Sequence, residues 1–146
     1  MILHVVLVGV LSVGSVAFAG GQGPQGAAAN TAPAVQVPET PAGTALGEFV
    51  SSFNEGGDKR KAWLETRTTL EPEQVSNILQ QDAAILAKHG PATVVKIPQS
   101  SASSIQAVIR HATSGAHGHL TIEVEAASPY KVTNVQIRPA TPEEIK

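Results

Sequence analysis

Three side chains of this sequence have the residue types of an acid–base site: Asp82, His111 and Tyr130. Asp82 interrupts the apolar stripe of a predicted helix, where burial would raise the pKa of its carboxyl group and suit it to act as a general base. His111 and Tyr130 could complete a polar pocket lining around it. The alternative is that Asp82 lies at the edge of the stripe and reaches solvent or Arg110.

The histidines suggest metal binding as a second chemistry. His117 and His119 are two residues apart in a predicted strand, so both imidazoles share one face and are candidate zinc ligands. If the apolar side chains of the strands at residues 104–111 and 117–126 share one face of the sheet, Ile109 pairs with Leu120 and Arg110 lies beside His119. His111 then points to the opposite face from His119. The prediction is therefore a solvent-facing histidine pair without a third ligand, and no metal site or other cofactor. A register shifted by one residue would gather all three histidines.

Two short motifs suggest chemistry that their context does not support. Ser128-Pro129-Tyr130-Lys131 matches the Ser-x-x-Lys pattern of penicillin-recognising hydrolases. That chemistry needs a helix N-terminus, whereas Pro129 lies in a predicted turn between strands, so we interpret the match as chance. Lys59-Arg60-Lys61 could hold an acidic partner or a phosphate at the start of a helix. Because Asp58 and Glu55 offset its charge, we predict a solvated face instead.

Three helices are predicted before the sheet. Thr40 and Pro41 open the first helix as N-cap and N1. The second runs from about Lys59 to Thr68 and is capped by Asp58. The third begins at Glu71-Pro72 and is stopped by Gly90-Pro91. The apolar spacing of these helices and of the strands predicts one shared core, containing Phe49, Phe53, Trp63, Leu79 and Leu120.

After Pro91 the apolar period changes from about 3.6 to 2, which indicates strands. Residues 120–124 alternate strictly between apolar and polar side chains. This pattern is typical of an antiparallel meander with one solvated face. The predicted fold is α+β, with three N-terminal helices packed on a four-stranded sheet. The predicted strands are Thr93–Pro98, Ser104–His111, His117–Ala126 and Lys131–Arg138.

The N-terminal segment of the chain predicts export. Ile2–Val13 is apolar and Ala17-Phe18-Ala19 fits a cleavage site before Gly20, so residues 1–19 are a predicted signal peptide and the protein is secreted or periplasmic, without stable membrane insertion after cleavage. Residues 20–39 are a predicted Gly/Ala/Pro-rich linker, residues 40–140 the domain and residues 141–146 a tail. The chain has no cysteine and a net charge of −2, which excludes disulfides and gives no general attraction for nucleic acid.

Four stretches of the domain carry a resemblance: Thr40–Gly43, Phe53–Asp58, Leu120–Val124 and Ile137–Ala140. In order and content they resemble the accessory domain that precedes the catalytic domain of secreted bacterial beta-lactamase-related serine hydrolases and peptidases. That domain is similar to the nuclear-transport-factor-like cone, so the resemblance implies a curved sheet wrapped by helices around a pocket. The sequence ends at Lys146, before any such catalytic domain, so the resemblance supplies no hydrolase residues.

Two functions remain open from the sequence. The first is an exported, non-catalytic module that binds a small apolar ligand or a partner protein, with a hydrolase or peptidase as one possible partner. The second is a small cone-fold enzyme of the isomerase or cyclase kind, with Asp82 as general base. The chain has only three Phe, one Tyr and one Trp. This scarcity favours the module over the enzyme, because pockets in folds of this type are usually lined by aromatic side chains.

Overall fold

The computed structural model describes Val5–Leu7 and residues 35–146. The predicted α+β class is confirmed. Apart from Val5–Leu7, the predicted signal peptide and most of the linker lie outside the described residues, and no helix within those residues is long and apolar enough to cross a membrane. The elements in chain order are β1 (Val5–Leu7), α1 (Pro41–Glu55), α2 (Gly57–Arg67), α3 (Pro72–His89), β2 (Ala92–Ser100), β3 (Ser104–His111), β4 (His117–Val124), β5 (Val132–Pro139) and α4 (Pro142–Ile145).

Helix α1 begins as the sequence predicts. The Thr40 hydroxyl oxygen accepts a hydrogen bond from Gly43 N at 3.1 Å, and Pro41 occupies the first turn. Gly43 approaches the preceding chain so closely that a Cβ atom there would lie 1.9 Å from Pro38 O. Any larger residue at this position would have to displace the backbone that leads into the helix.

Helix α2 begins two residues earlier than predicted. Its N-cap is Gly56, which has a φ of 64° and no side chain to cap the helix, and Asp58 lies within the first turn. The earlier start of the helix has its cause in the backbone. Gly56 and Gly57 both have positive φ, so the chain can turn from α1 into α2 across a single residue. Sequence patterns locate an Asp cap more readily than a turn of this kind.

Strands β2 to β5 form an antiparallel meander, and β1 adds parallel to β5. The predicted register between β3 and β4 is wrong by two residues: Ala107 pairs with Leu120, and Arg110 pairs with His117 rather than His119. The hairpin turn explains the difference, because His111 N donates to Ala116 O and closes a turn that fixes every later pair. A two-residue shift preserves the alternation of faces, so the apolar rows still coincide.

The helices cover one face of this sheet, and the predicted core is present. Phe49, Phe53, Trp63 and Leu120 are all buried in it, and Leu79 packs against it half-buried. Phe49 and Trp63 meet edge to face, with ring centres 5.4 Å apart. The opposite face of the sheet is partly covered by α4. The candidate site residues lie on both faces of the sheet.

Candidate functional site

An ion pair between α2 and α3 is buried in the helical layer. Arg60 Nε lies 2.7 Å from Asp82 Oδ2, and Arg60 Nη1 donates to Ser52 Oγ at 3.2 Å. The Arg60 and Asp82 side chains are 3% and 12% exposed. Asp82 therefore pairs with Arg60 and not with Arg110, and the prediction of a solvated Lys59-Arg60-Lys61 face is wrong for its central residue.

Aromatic rings hold the Arg60 guanidinium in place. Its central carbon lies 4.3 Å from the centre of the Phe49 ring and 4.9 Å from the centre of the Trp63 ring. A planar, weakly hydrated guanidinium suits such an environment better than an ammonium group does. The side chain is thus oriented by two rings and two hydrogen bonds before any ligand arrives.

Burial and charge act in opposite directions on this pair. Burial raises the pKa of the Asp82 carboxyl group, while the charge and hydrogen bond of Arg60 lower it. Burial lowers the pKa of Arg60, and Asp82 opposes that shift. A guanidinium stays protonated at any ordinary pH, so Arg60 remains a fixed cation with Asp82 as its counterion.

A groove opens beside the ion pair, between the end of α1, the start of α2 and the C-terminal half of α3; we call it the α1–α3 groove. Its volume is about 320 Å³. Arg60 and Asp82 contribute the buried polar part of its lining, and Glu55 lies at its exposed rim. Its apolar lining consists of Phe53, Leu79, Ala83, Leu86 and Ala87.

His111 and Tyr130 do not join Asp82 in this groove. The His111 imidazole lies on the helix-covered face of the sheet, as predicted, where its ring centre is 5.6 Å from that of His89 and Nδ1 donates to Gly90 O at 3.0 Å. Tyr130 lies in the turn between β4 and β5, at the other end of β4 from His111. A strand of this length spans roughly 25 Å, so the three predicted residues do not form one polar lining.

The two remaining histidines also have different surroundings from those predicted. His117 is half-buried, whereas His119 is only 6% exposed because α4 lies over it. His119 Nδ1 is 2.8 Å from Glu144 Oε1, an ion-pair distance without good hydrogen-bond alignment. Across the described residues, no group of three or more His, Asp or Glu side chains is arranged to hold a metal ion.

Sequence reasoning missed Arg60 and Glu144 as organising residues. The spacing of Arg60 and Trp63, three apart on one helix face, is the pattern that could have indicated a buried arginine. Glu144 follows Thr141 by three residues, which is a capping-box spacing within the predicted tail. Neither pattern identifies the partner residue, because Asp82 is distant in sequence from Arg60, and His119 is distant from Glu144.

Comparison with known proteins adds no further assignment. No protein-family model matches the sequence, and no functionally described protein is detectably similar to it.

Proposed function

We propose that this chain is an exported, non-catalytic module that binds a small apolar ligand in the α1–α3 groove. The observation that carries the proposal is the α1–α3 groove itself, which has a volume of about 320 Å³, an apolar wall and one buried polar pair. Ligand pockets commonly have volumes of about 300–1,000 Å³ and combine apolar walls with a few placed polar groups. The groove lies at the small end of that range, which suits a small molecule.

The exported location and the cone-like shape belong to the same proposal. Export rests on the apolar Ile2–Val13 segment and the small residues before Gly20. The cone-like shape and the accessory role rest on the resemblance to the domain of secreted hydrolases and peptidases. An exported protein of that kind is the partner that the resemblance suggests.

The test is a titration of the full chain with 1-octanol, followed by the methyl resonances of its leucines. Leu79 and Leu86 line the groove and should shift, whereas Leu120, buried on β4, should not. Ala83→Phe should block the shifts because Ala83 lines the groove. Ala84→Phe is the matched control, since Ala84 is an exposed neighbour outside the lining. Equal shifts in both variants, or no shift in the wild type with 1-octanol and with an amide of the same chain length, would refute ligand binding here.

The second candidate function is acid–base catalysis by Asp82. The observation in its favour is that Asp82 lines the groove and burial raises its pKa. The ion pair with Arg60 weighs against it, because a bound guanidinium stabilises the carboxylate and lowers its strength as a base. For a substrate turned over by this groove, Asp82→Asn should abolish turnover while leaving binding measurable.

A further inference from the structure

Two hydrogen-bonding groups of the ion pair have no partner among the described residues. Within the described part of the chain, Arg60 donates from Nε and Nη1 but not from Nη2, and Asp82 accepts through Oδ2 but not through Oδ1. The buried side-chain atoms that lack a partner there do not include either atom, so both keep accessible surface. Arg60 and Asp82 both line the groove. The pair thus offers one donor group and one acceptor atom.

The charge of the lining selects among ligand head groups. Arg60 and Asp82 cancel each other, and the remaining carboxylate, Glu55, lies at the rim where Ser51 donates to it. A carboxylate ligand would therefore meet Asp82 without a free cation to compensate it. An ammonium ligand could donate to Asp82 Oδ1, but it has no atom that could accept from Arg60 Nη2. A neutral head group avoids both costs.

We infer that the ligand class of the α1–α3 groove is a neutral molecule with an apolar body and a head that both donates and accepts hydrogen bonds, such as a primary carboxamide. The carbonyl oxygen would accept from Arg60 Nη2 and the N–H would donate to Asp82 Oδ1. The apolar body would lie along Leu79, Ala83 and Leu86. This inference rests on the proposed function, because it specifies the ligand of the same groove.

The test compares four probes of equal chain length on the full chain at pH 7: octanamide, octanol, octanoate and octylammonium. The readouts are the Leu79 and Leu86 methyl shifts and the fluorescence of Trp63, the only tryptophan, whose ring contacts Arg60. Octanamide should bind at least about tenfold more tightly than octanoate, a ratio that corresponds to about 1.4 kcal/mol. Tighter binding of octanoate or octylammonium would overturn the inference.

A charge-changing variant provides a second measurement. Asp82→Asn keeps an oxygen that can accept from Arg60 Nε but removes the counterion, so Arg60 becomes an uncompensated cation in the groove. Octanoate should then gain at least tenfold in affinity relative to octanamide. The matched control is Asp58→Asn, which makes the same substitution at an exposed site outside the lining and should leave the ranking unchanged.

The outcomes separate the inference from the function on which it rests. If none of the four probes moves the Leu79 and Leu86 resonances, the proposed function fails. If all four bind with equal affinity, the function stands and the inference is refuted. If Asp82→Asn unfolds, as circular dichroism would show, the ranking of the four probes on the wild-type chain still decides the question. An unchanged ranking in a folded Asp82→Asn protein would also refute the inference.

Discussion

His119 of β4 and Glu144 of α4 meet across the solvent-side face of the sheet, with Nδ1 and Oε1 2.8 Å apart. The same carboxylate accepts two hydrogen bonds from Arg138, which pairs with His119 in the register of β4 and β5. Lys96 and Val108 extend this cross-strand row to β2. The Glu144 carboxylate therefore joins the last described helix to β4 and β5.

This contact predicts how acid will act on α4. Hydrogen bonds from Arg138 hold the pKa of Glu144 well below its ordinary value of 4.5. A depressed pKa of this kind contributes stability above pH 4.5, and the contribution is lost as the pH falls below that value. Glu144→Gln should thus lower the urea midpoint at pH 7, and its difference from the wild type should shrink steadily as the pH falls below 4.5. Glu143→Gln, at an exposed neighbour, is the control, and an equal loss in both variants would contradict the assignment.

Phe53 should be a major contributor to core stability. Its side chain is 6% exposed, and its ring lies 6.1 Å from the His111 imidazole, so it joins α1 to the sheet. Phe53→Ala should cost about 3–5 kcal/mol of unfolding free energy, because it removes buried apolar surface and leaves a cavity. Chemical denaturation at pH 7 measures this value. An unchanged midpoint would mean that the packing around α1 differs from that described.

The buried ion pair should be far costlier to break than an exposed one. Asp82→Ala leaves the Arg60 guanidinium buried without its counterion, and we expect a loss of about 3 kcal/mol. The double variant Arg60→Met/Asp82→Leu should recover much of that loss, since neither charge is then left alone. Glu65→Ala breaks the exposed Lys61–Glu65 pair and should cost under about 1 kcal/mol. A double variant with a lower free energy of unfolding than Asp82→Ala would contradict this account.

His89 predicts a second pH dependence, in a different window. Burial, together with the nearby charges of His111 and Lys88, lowers the pKa of His89 below 6.5. As the pH falls, His89 is therefore protonated at a higher pH in the unfolded chain than in the folded protein. The free energy of unfolding should consequently fall as the pH drops below 6.5. His89→Asn should flatten the fall between pH 7 and pH 5.5, measured by urea unfolding. His117→Asn is the matched control, and an equally steep fall in His89→Asn would exclude His89 as its source.

The helices and strands were predictable from the sequence because their evidence is local. Pro41, Gly90 and the spacing of Phe49 and Phe53 act within a few residues of the structures they specify. The α+β class and the opposite orientations of His111 and His117 follow from the same short-range periods. The exact start of α2 did not, because two consecutive glycines with positive φ are compatible with several turns.

What only the tertiary structure decided is the identity of the partners. The sequence placed an aspartate in an apolar stripe and an arginine in a basic cluster, but 22 residues separate Arg60 from Asp82, and only helix packing brings them to 2.7 Å. His119 alternates with apolar residues in the manner of a solvent-facing side chain, yet α4 buries it. Periodicity reports which face a residue occupies. What covers that face depends on contacts between distant segments, which no local pattern encodes.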